Sequence, residues 1–208
     1  MDPAMSHTPE TRRSVHSSPT PPVPLRIGIS RCLLGEPVRF DGGHKRDSFL
    51  VDTLGRYVEW VPVCPEVEVG LGTPREALRL VGDLHAPRLI TINTGIDHTD
   101  AMNRFARQRV RELETLNLSG FVFKSDSPSC GIGGVPLFGT QGLETQDGVG
   151  LFAWAFREHF PLMPVEEEDR LHDPQAVKSF LERVHAYRQS RNSGGPFLPI
   201  GQGRESTS

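Results

Sequence analysis

Three cysteines close three apolar runs, RIGISRC at Cys32, WVPVC at Cys64 and FVFKSDSPSC at Cys130, and the chain has no other cysteine. If those runs are parallel strands of one sheet, their carboxyl ends share an edge. The three thiols then meet in the crevice where open α/β sheets hold their ligands. The separations are long, unlike the short C-x-x-C knuckles of structural zinc sites, so the fold itself must assemble any metal site. Each cysteine is followed by a turn sequence, LLGEP, PEVEVG and GIGG. Such turns let backbone approach a bulky group and offer amides to it. An odd number of cysteines without an export signal argues against a disulfide framework. Two readings of the thiols stay open on the residues alone. Free cysteine is among the most buried residue types and can simply pack. Three thiolates can also hold zinc or an iron-sulfur cluster and leave one coordination position open.

The rest of the chain supports the sheet. Apolar runs at Leu25 to Ser30, Val58 to Val63, Arg88 to Ile92 and Phe121 to Lys124 read as four strands. Helical periodicity alternates with them. Asp47 or Ser48 caps a helix through Tyr57. Asp97 or Thr99 caps a second, carrying Met102, Phe105, Ala106, Val110 and Leu113. Gly148 to Phe160 forms a third. Asp173 and Pro174 start the last, striped by Val177, Phe180, Leu181 and Val184. Leu162 to Val165 reads as a short extended segment before an acidic run. The predicted fold class is α/β, a three-layer arrangement with a mostly parallel sheet, helices on both faces and a ligand site at the carboxyl ends of the strands. Residues 1–24 are rich in Pro, Ser and Thr and are expected to be disordered. Residues 25–189 form the domain, including a C-terminal helix, and 190–208 a flexible tail.

The formal charge of −3 gives the whole surface no general attraction for a polyanion. No apolar stretch approaches the length of a membrane span and the amino-terminal residues lack the pattern of a signal peptide, so the reading is a soluble cytoplasmic protein with no membrane partner. No G-x-G-x-x-G or Walker pattern accompanies a strand, which leaves dinucleotide and ATP use unsupported.

The segments ISRCLLGEPVRFDGGHK, VPVCPEVEVGLGTPRE, INTGIDHTDAM and FKSDSPSCG, in that order, resemble the thiouracil desulfidase family, from about Arg26 to Pro161. The resemblance implies a 4Fe-4S cluster held by Cys32, Cys64 and Cys130 with a fourth iron left for substrate. It further implies exchange of sulfur for oxygen on a thiolated uracil, as free base, nucleoside or nucleotide, with release of sulfide and no net redox change. LMPVEEEDRLHDP resembles the stretch leading into a second domain in longer relatives that act on 4-thiouridine in tRNA. That domain is absent from the sequence, so tRNA is not the favoured substrate.

Such chemistry needs a base within hydrogen-bond reach of the attacking water. Glu66, two residues after Cys64, is the first candidate, although glutamate is mostly a solvent-facing residue. Ser127 and Ser129, with Ser125, flank Cys130 and are placed to bond a cluster or a uracil carbonyl, while serines beside a proline also suit any turn. Arg31, Lys45, Arg75 and Asp97 are candidate substrate ligands. Arginine matches phosphate with a planar fork, and Arg39, His44 and Arg46 enlarge the basic group near the first cysteine. Asp97 serves equally as a helix cap. The alternative to an enzyme is a non-catalytic metal or cluster carrier, whose open position a fourth side chain closes, and His44 is the residue to test for that.

Overall fold

A computed structural model describes residues 24–193 except position 140. Of the two ends expected to be flexible, 1–24 and 190–208, residues 1–23 and 194–208 lie outside the described residues, and the last helix runs past position 189 to Asn192.

The strand β1, Leu25–Ser30, is buried along almost its whole length, as a central strand covered on both faces must be. It pairs in parallel with β2, Val58–Val63, on one side and with β5, Gly120–Phe123, on the other. The short strand β8, Val165–Glu167, completes the parallel order β2-β1-β5-β8. Alternation along β5 divides the core. Phe121 and Phe123 stack on one face with ring centroids 4.1 Å apart and meet Phe156 edge-on at 4.8 and 5.4 Å. Val122 joins Ile27, Ile29, Phe180 and Val184 on the other. The first face is covered by α2, Thr99–Glu114, and α3, Leu151–His159; the second by α4, Pro174–Asn192. Gly28 is required by this packing, since a Cβ there would sit 2.1 Å from the Phe121 ring.

The parallel sheet with helices on both faces is thus present, but its membership differs from the expected one. Arg88–Ile92 does not join it. Ala86–Thr91 is strand β4 of a second sheet, ordered β4-β3-β6-β7, with β3 at Leu78–Asp83, β6 at Val135–Gly139 and β7 at Gly142–Gly148. That sheet is mixed: β3 pairs antiparallel with β4 and parallel with β6, and β6 pairs antiparallel with β7. Because β7 runs to Gly148, α3 begins at Leu151, three residues later than periodicity suggested. The segment 49–56 is a π-helical turn followed by a 3-10 turn in place of an α-helix, and Asp47 starts it by accepting from the Leu50 amide at 3.0 Å. Asp173 caps α4 as expected, accepting from Gln175 N at 3.0 Å. Among the described residues no helix is long and apolar enough to cross a membrane.

Candidate active site

The carboxyl ends of β1, β2 and β5 open into one cleft of about 470 Å³. Cys32 lies in a 3-10 turn that follows β1 directly. Cys64 follows β2 and precedes the short helix α1, Pro65–Glu68, which Pro65 starts with the φ a first turn needs. Cys130 lies within the loop that leads from β5 to β6. All three line the cleft, Cys64 and Cys130 buried and Cys32 partly so, and none is in a disulfide.

Burial controls the thiols. It pushes the Cys32 thiol up to about 11, with a further rise from Cys64 and partial relief from Lys124 and Arg39. Cys64 is raised for the same reason, with Glu66 adding to it and a backbone hydrogen bond opposing. Cys130 is raised most, again by burial, although a hydrogen bond from Ser30 offsets part of it. The thiols act on each other electrostatically, which marks them as one group. In the free protein they are therefore protonated at neutral pH, and any metal they take must displace protons.

Among the described residues, no three His, Cys, Asp or Glu side chains are gathered as ligands of one metal ion would be. Zinc holds each sulfur at about 2.3 Å and so draws its thiolates within about 4 Å of one another. The donor set here is three soft thiols around a roomy cleft. Soft thiol donors of this kind suit a soft metal ion or an iron-sulfur cluster.

The loop carrying Cys130 is held from four directions. Ser127 Oγ accepts from the Cys130 amide at 3.1 Å, closing the turn. The first amides of α3 donate to its carbonyls, Leu151 N to Pro128 O at 3.2 Å and Phe152 N to Ser129 O at 3.0 Å, so the loop caps a helix that has no side-chain cap. Glu168 accepts from Ser125 N at 2.7 Å and Glu167 from Ile132 N at 2.8 Å. Lys124, which lines the cleft, pairs with Glu168 and donates to Ser125 Oγ at 2.7 Å. The acidic run after Leu162 is therefore part of the site's support, a role its composition does not reveal.

Glu66 projects from α1 into the cleft with its side chain 13% exposed. Oε1 accepts from the Ser129 hydroxyl at 2.8 Å and Oε2 from Arg75 Nε and Nη2 at 2.9 and 2.7 Å. Ser129 Oγ is also 3.7 Å from Cys130 Sγ, so one hydroxyl touches both the carboxylate and a thiol. The Ser127 and Ser129 hydroxyls lie 3.1 Å apart.

The remaining candidates divide. Arg31, Arg39, Lys45 and Arg75 line the cleft with Lys124, against the carboxylates Glu66 and Asp126. This is a cationic lining in a chain whose net charge is −3. Arg31 lies 3.5 Å from both Glu36 and Glu68, and Glu68 in turn accepts from the Cys64 amide at 2.8 Å. Asp97 is outside the cleft lining. It accepts from Thr99 N at 2.9 Å and pairs with Arg88 at 3.5 Å, one residue before His98, which takes the N-cap position of α2 in place of the expected Asp97 or Thr99. Hydrogen bonds from Thr99, helped by Arg88, hold its carboxyl below the usual range. His44 is exposed and turned to the Arg46 amide at 3.1 Å, away from the lining, and Arg46 pairs with Asp52 at 2.7 Å. The carrier alternative thereby loses its named fourth ligand. Phe40 and Ile92, both exposed, also line the cleft and carry no sequence signal of doing so.

Comparison with known proteins bears on the family and the fold. The chain is 31% identical over 112 residues to the uncharacterized protein YbbK of Bacillus subtilis strain 168, spanning 51% of this chain and 74% of that one. Its fold superposes with a TM-score of 0.62 on the solved structure of a 4Fe-4S-dependent thiouracil desulfidase, TudS, at 31% identity, covering 76% of this chain and 99% of that one. The profile of the 2-thiouracil desulfurase family matches residues 27–168, a span that holds all three cysteines and both glutamates anchoring the Cys130 loop. The chain belongs to the 2-thiouracil desulfurase family, a family of enzymes.

Proposed function

We propose that this protein is a 4Fe-4S-dependent desulfidase that converts a thiolated uracil, as free base, nucleoside or nucleotide, to uracil with release of sulfide. The observation that carries the reading is the convergence of Cys32, Cys64 and Cys130 on one cleft beside a carboxylate bonded to Ser129. Cys32, Cys64 and Cys130 are the residues that hold the cluster. When bound by three thiolates, such a cluster supplies an unligated iron, a soft Lewis acid for thiocarbonyl sulfur.

The chain's own residues supply the rest. Glu66 Oε1 is the base that takes a proton from the attacking water, and the Ser129 hydroxyl orients it and passes a proton towards the departing sulfur. A carbon–oxygen bond forms, the carbon–sulfur bond breaks, the two water hydrogens leave as hydrogen sulfide or as its anion and a proton released to solvent, and no electrons are gained or lost. Ser127 acts on the loop, holding Cys130 in place. The cations Arg31, Arg39 and Lys45 suit an occupant bearing negative charge, both the thiolate-ligated cluster and a phosphate on the substrate.

The test is anaerobic reconstitution followed by assay with 2-thiouracil, 4-thiouridine, 4-thiouridine phosphate and tRNA containing 4-thiouridine. Broad brown absorbance, about four irons per chain, and sulfide release from the small substrates is the expected result. Reconstituted protein that holds the cluster and releases no sulfide from any of them defeats the reading. Release from tRNA alone replaces the small substrate with the nucleic acid.

A further inference from the structure

Arginine beside a cleft ordinarily invites an anion, and a guanidinium has the fork that phosphate takes. At position 75 the fork is already occupied. Nε and Nη2 both donate to Glu66 Oε2, at 2.9 and 2.7 Å, while Nη1 donates to the carbonyls of Gly72 at 2.7 Å and Val38 at 3.0 Å. The Arg75 amide donates to Phe40 O at 2.9 Å. Its side chain is 7% exposed, and it faces the carboxylate rather than the solvent in the cleft. So engaged, Arg75 has little of its fork left for a substrate.

What the contacts do accomplish is mechanical. An unrestrained glutamate on a short helix samples several rotamers, and its carboxylate turns freely. Two donors on Oε2 remove that freedom and leave Oε1 as the oxygen presented to the Ser129 hydroxyl. The same guanidinium is tied through Nη1 to Val38, whose carbonyl also lies 3.9 Å from Cys64 Sγ. Carboxylate, cysteine turn and the loop carrying Phe40 are thereby held to a common anchor.

We propose that Arg75 is a positioning residue, acting through Glu66 and not on the substrate: it fixes one carboxylate oxygen so that the other meets the reacting water. The inference rests on Glu66 as the base in the proposed desulfidase reaction. Lysine at this position keeps the charge and loses the fork, because an ammonium cannot reach Glu66 and the two carbonyls in one planar geometry.

The experiment is a double-mutant cycle on reconstituted full-length protein, with Arg75→Lys, Glu66→Gln and the pair, assayed for sulfide release under single-turnover and steady-state conditions. Iron content and cluster absorbance are recorded for each. Expected is a fall in kcat of at least tenfold for Arg75→Lys, approaching the ~100-fold that a misplacement of about 1 Å costs, with KM within about twofold of wild type and cluster content unchanged. On the Glu66→Gln background the added Arg75→Lys change should cost less than about threefold, since a residue acting through another has nothing left to act through. Arg75→Gln, which retains a donor towards Gly72 and Val38, provides the same reading if the lysine variant takes up less iron. Independent, multiplying losses overturn the proposal. So does a tenfold rise in KM with kcat intact, which makes Arg75 a substrate ligand. Wild-type protein that is loaded yet inactive defeats the desulfidase reading itself, whereas active wild type with an additive cycle defeats only the role of Arg75.

Discussion

Gly150 stands where α3 meets the Cys130 loop, and its missing side chain is a sharp test of how that loop is held. A Cβ built there would lie 2.4 Å from Ser129 C, 2.6 Å from Ser129 O and 2.7 Å from Cys130 N. Ordinary contact for such atoms begins near 3.4 Å, so Gly150→Ala demands a separation of about 0.7–1 Å between the helix start and the loop. The obstructing atoms are backbone, not the end of a flexible side chain. The glycine's own φ of −62° and ψ of 141° suit alanine, so no backbone strain obscures the steric effect. Overpacking of this kind costs typically 1–3 kcal/mol, and the upper end applies where backbone must move. For a chain of 150–250 residues, about 3 kcal/mol corresponds to a fall in Tm of roughly 6–12 °C. The displacement also falls on the cysteine itself, so iron uptake on reconstitution should drop with stability. Gly133→Ala is the control, because a Cβ there meets nothing within 4 Å, and it should stay within about 0.5 kcal/mol of wild type. Thermal unfolding by circular dichroism and iron content per chain are the measurements. A Gly150→Ala protein that melts within about 1 °C of wild type and loads iron normally would refute the account of the loop as pinned by α3.

Two further outcomes follow from buried charge and buried thiol. Glu168→Gln leaves the Lys124 ammonium without its partner, and breaking a buried pair from one side costs about 3–5 kcal/mol, or a Tm lower by about 10 °C. The double variant Lys124→Met/Glu168→Leu removes both charges and should recover part of that loss. A double variant less stable than the single one contradicts the reasoning. For the thiols, burial and Cys64 raise Cys32 from 9.0 to about 11. The protonated form dominates below that value, so in metal-free protein the reactive thiolate is about 0.1% at pH 8 and alkylation by iodoacetamide is about 100-fold slower than for an ordinary thiol. Mass spectrometry should show the Cys32 rate rising about tenfold per pH unit from pH 7 to 10; a plateau by pH 9 means the thiol is not shielded as described.

How much of this was legible beforehand depends on whether a residue's role is set by its own strand or by distant contacts. β1 and β5 are buried strands and β2 a half-buried edge strand, their apolar runs announce themselves, and a cysteine just after β1, just after β2 and in the loop after β5 gives the cleft its first three members. The second sheet offers one such run, in β4, which reads as a strand but says nothing of the sheet it joins. β7 reads Gly-Leu-Glu-Thr-Gln-Asp-Gly and β6 contains Pro136, so neither offers the strong period of a half-buried strand, and β3 is separated from its parallel partner β6 by some fifty residues. Glu66 was reachable as a carboxylate near a cysteine, but Glu167 and Glu168 were not. In an acidic run, charge alone predicts solvent, and only parallel pairing of β8 with β5 brings those two side chains to the amides of Ile132 and Ser125. Arg75 fails for the converse reason. A basic residue after a glycine turn predicts an open fork, while the fold closes that fork on Glu66. The ligand-bearing atoms of the site are thus encoded locally, each in the segment that follows one strand, whereas the groups that hold them still are encoded by register between segments far apart. The thiols and the base can therefore be located by reading along the chain, and the residues that decide how precisely they meet only by pairing its strands.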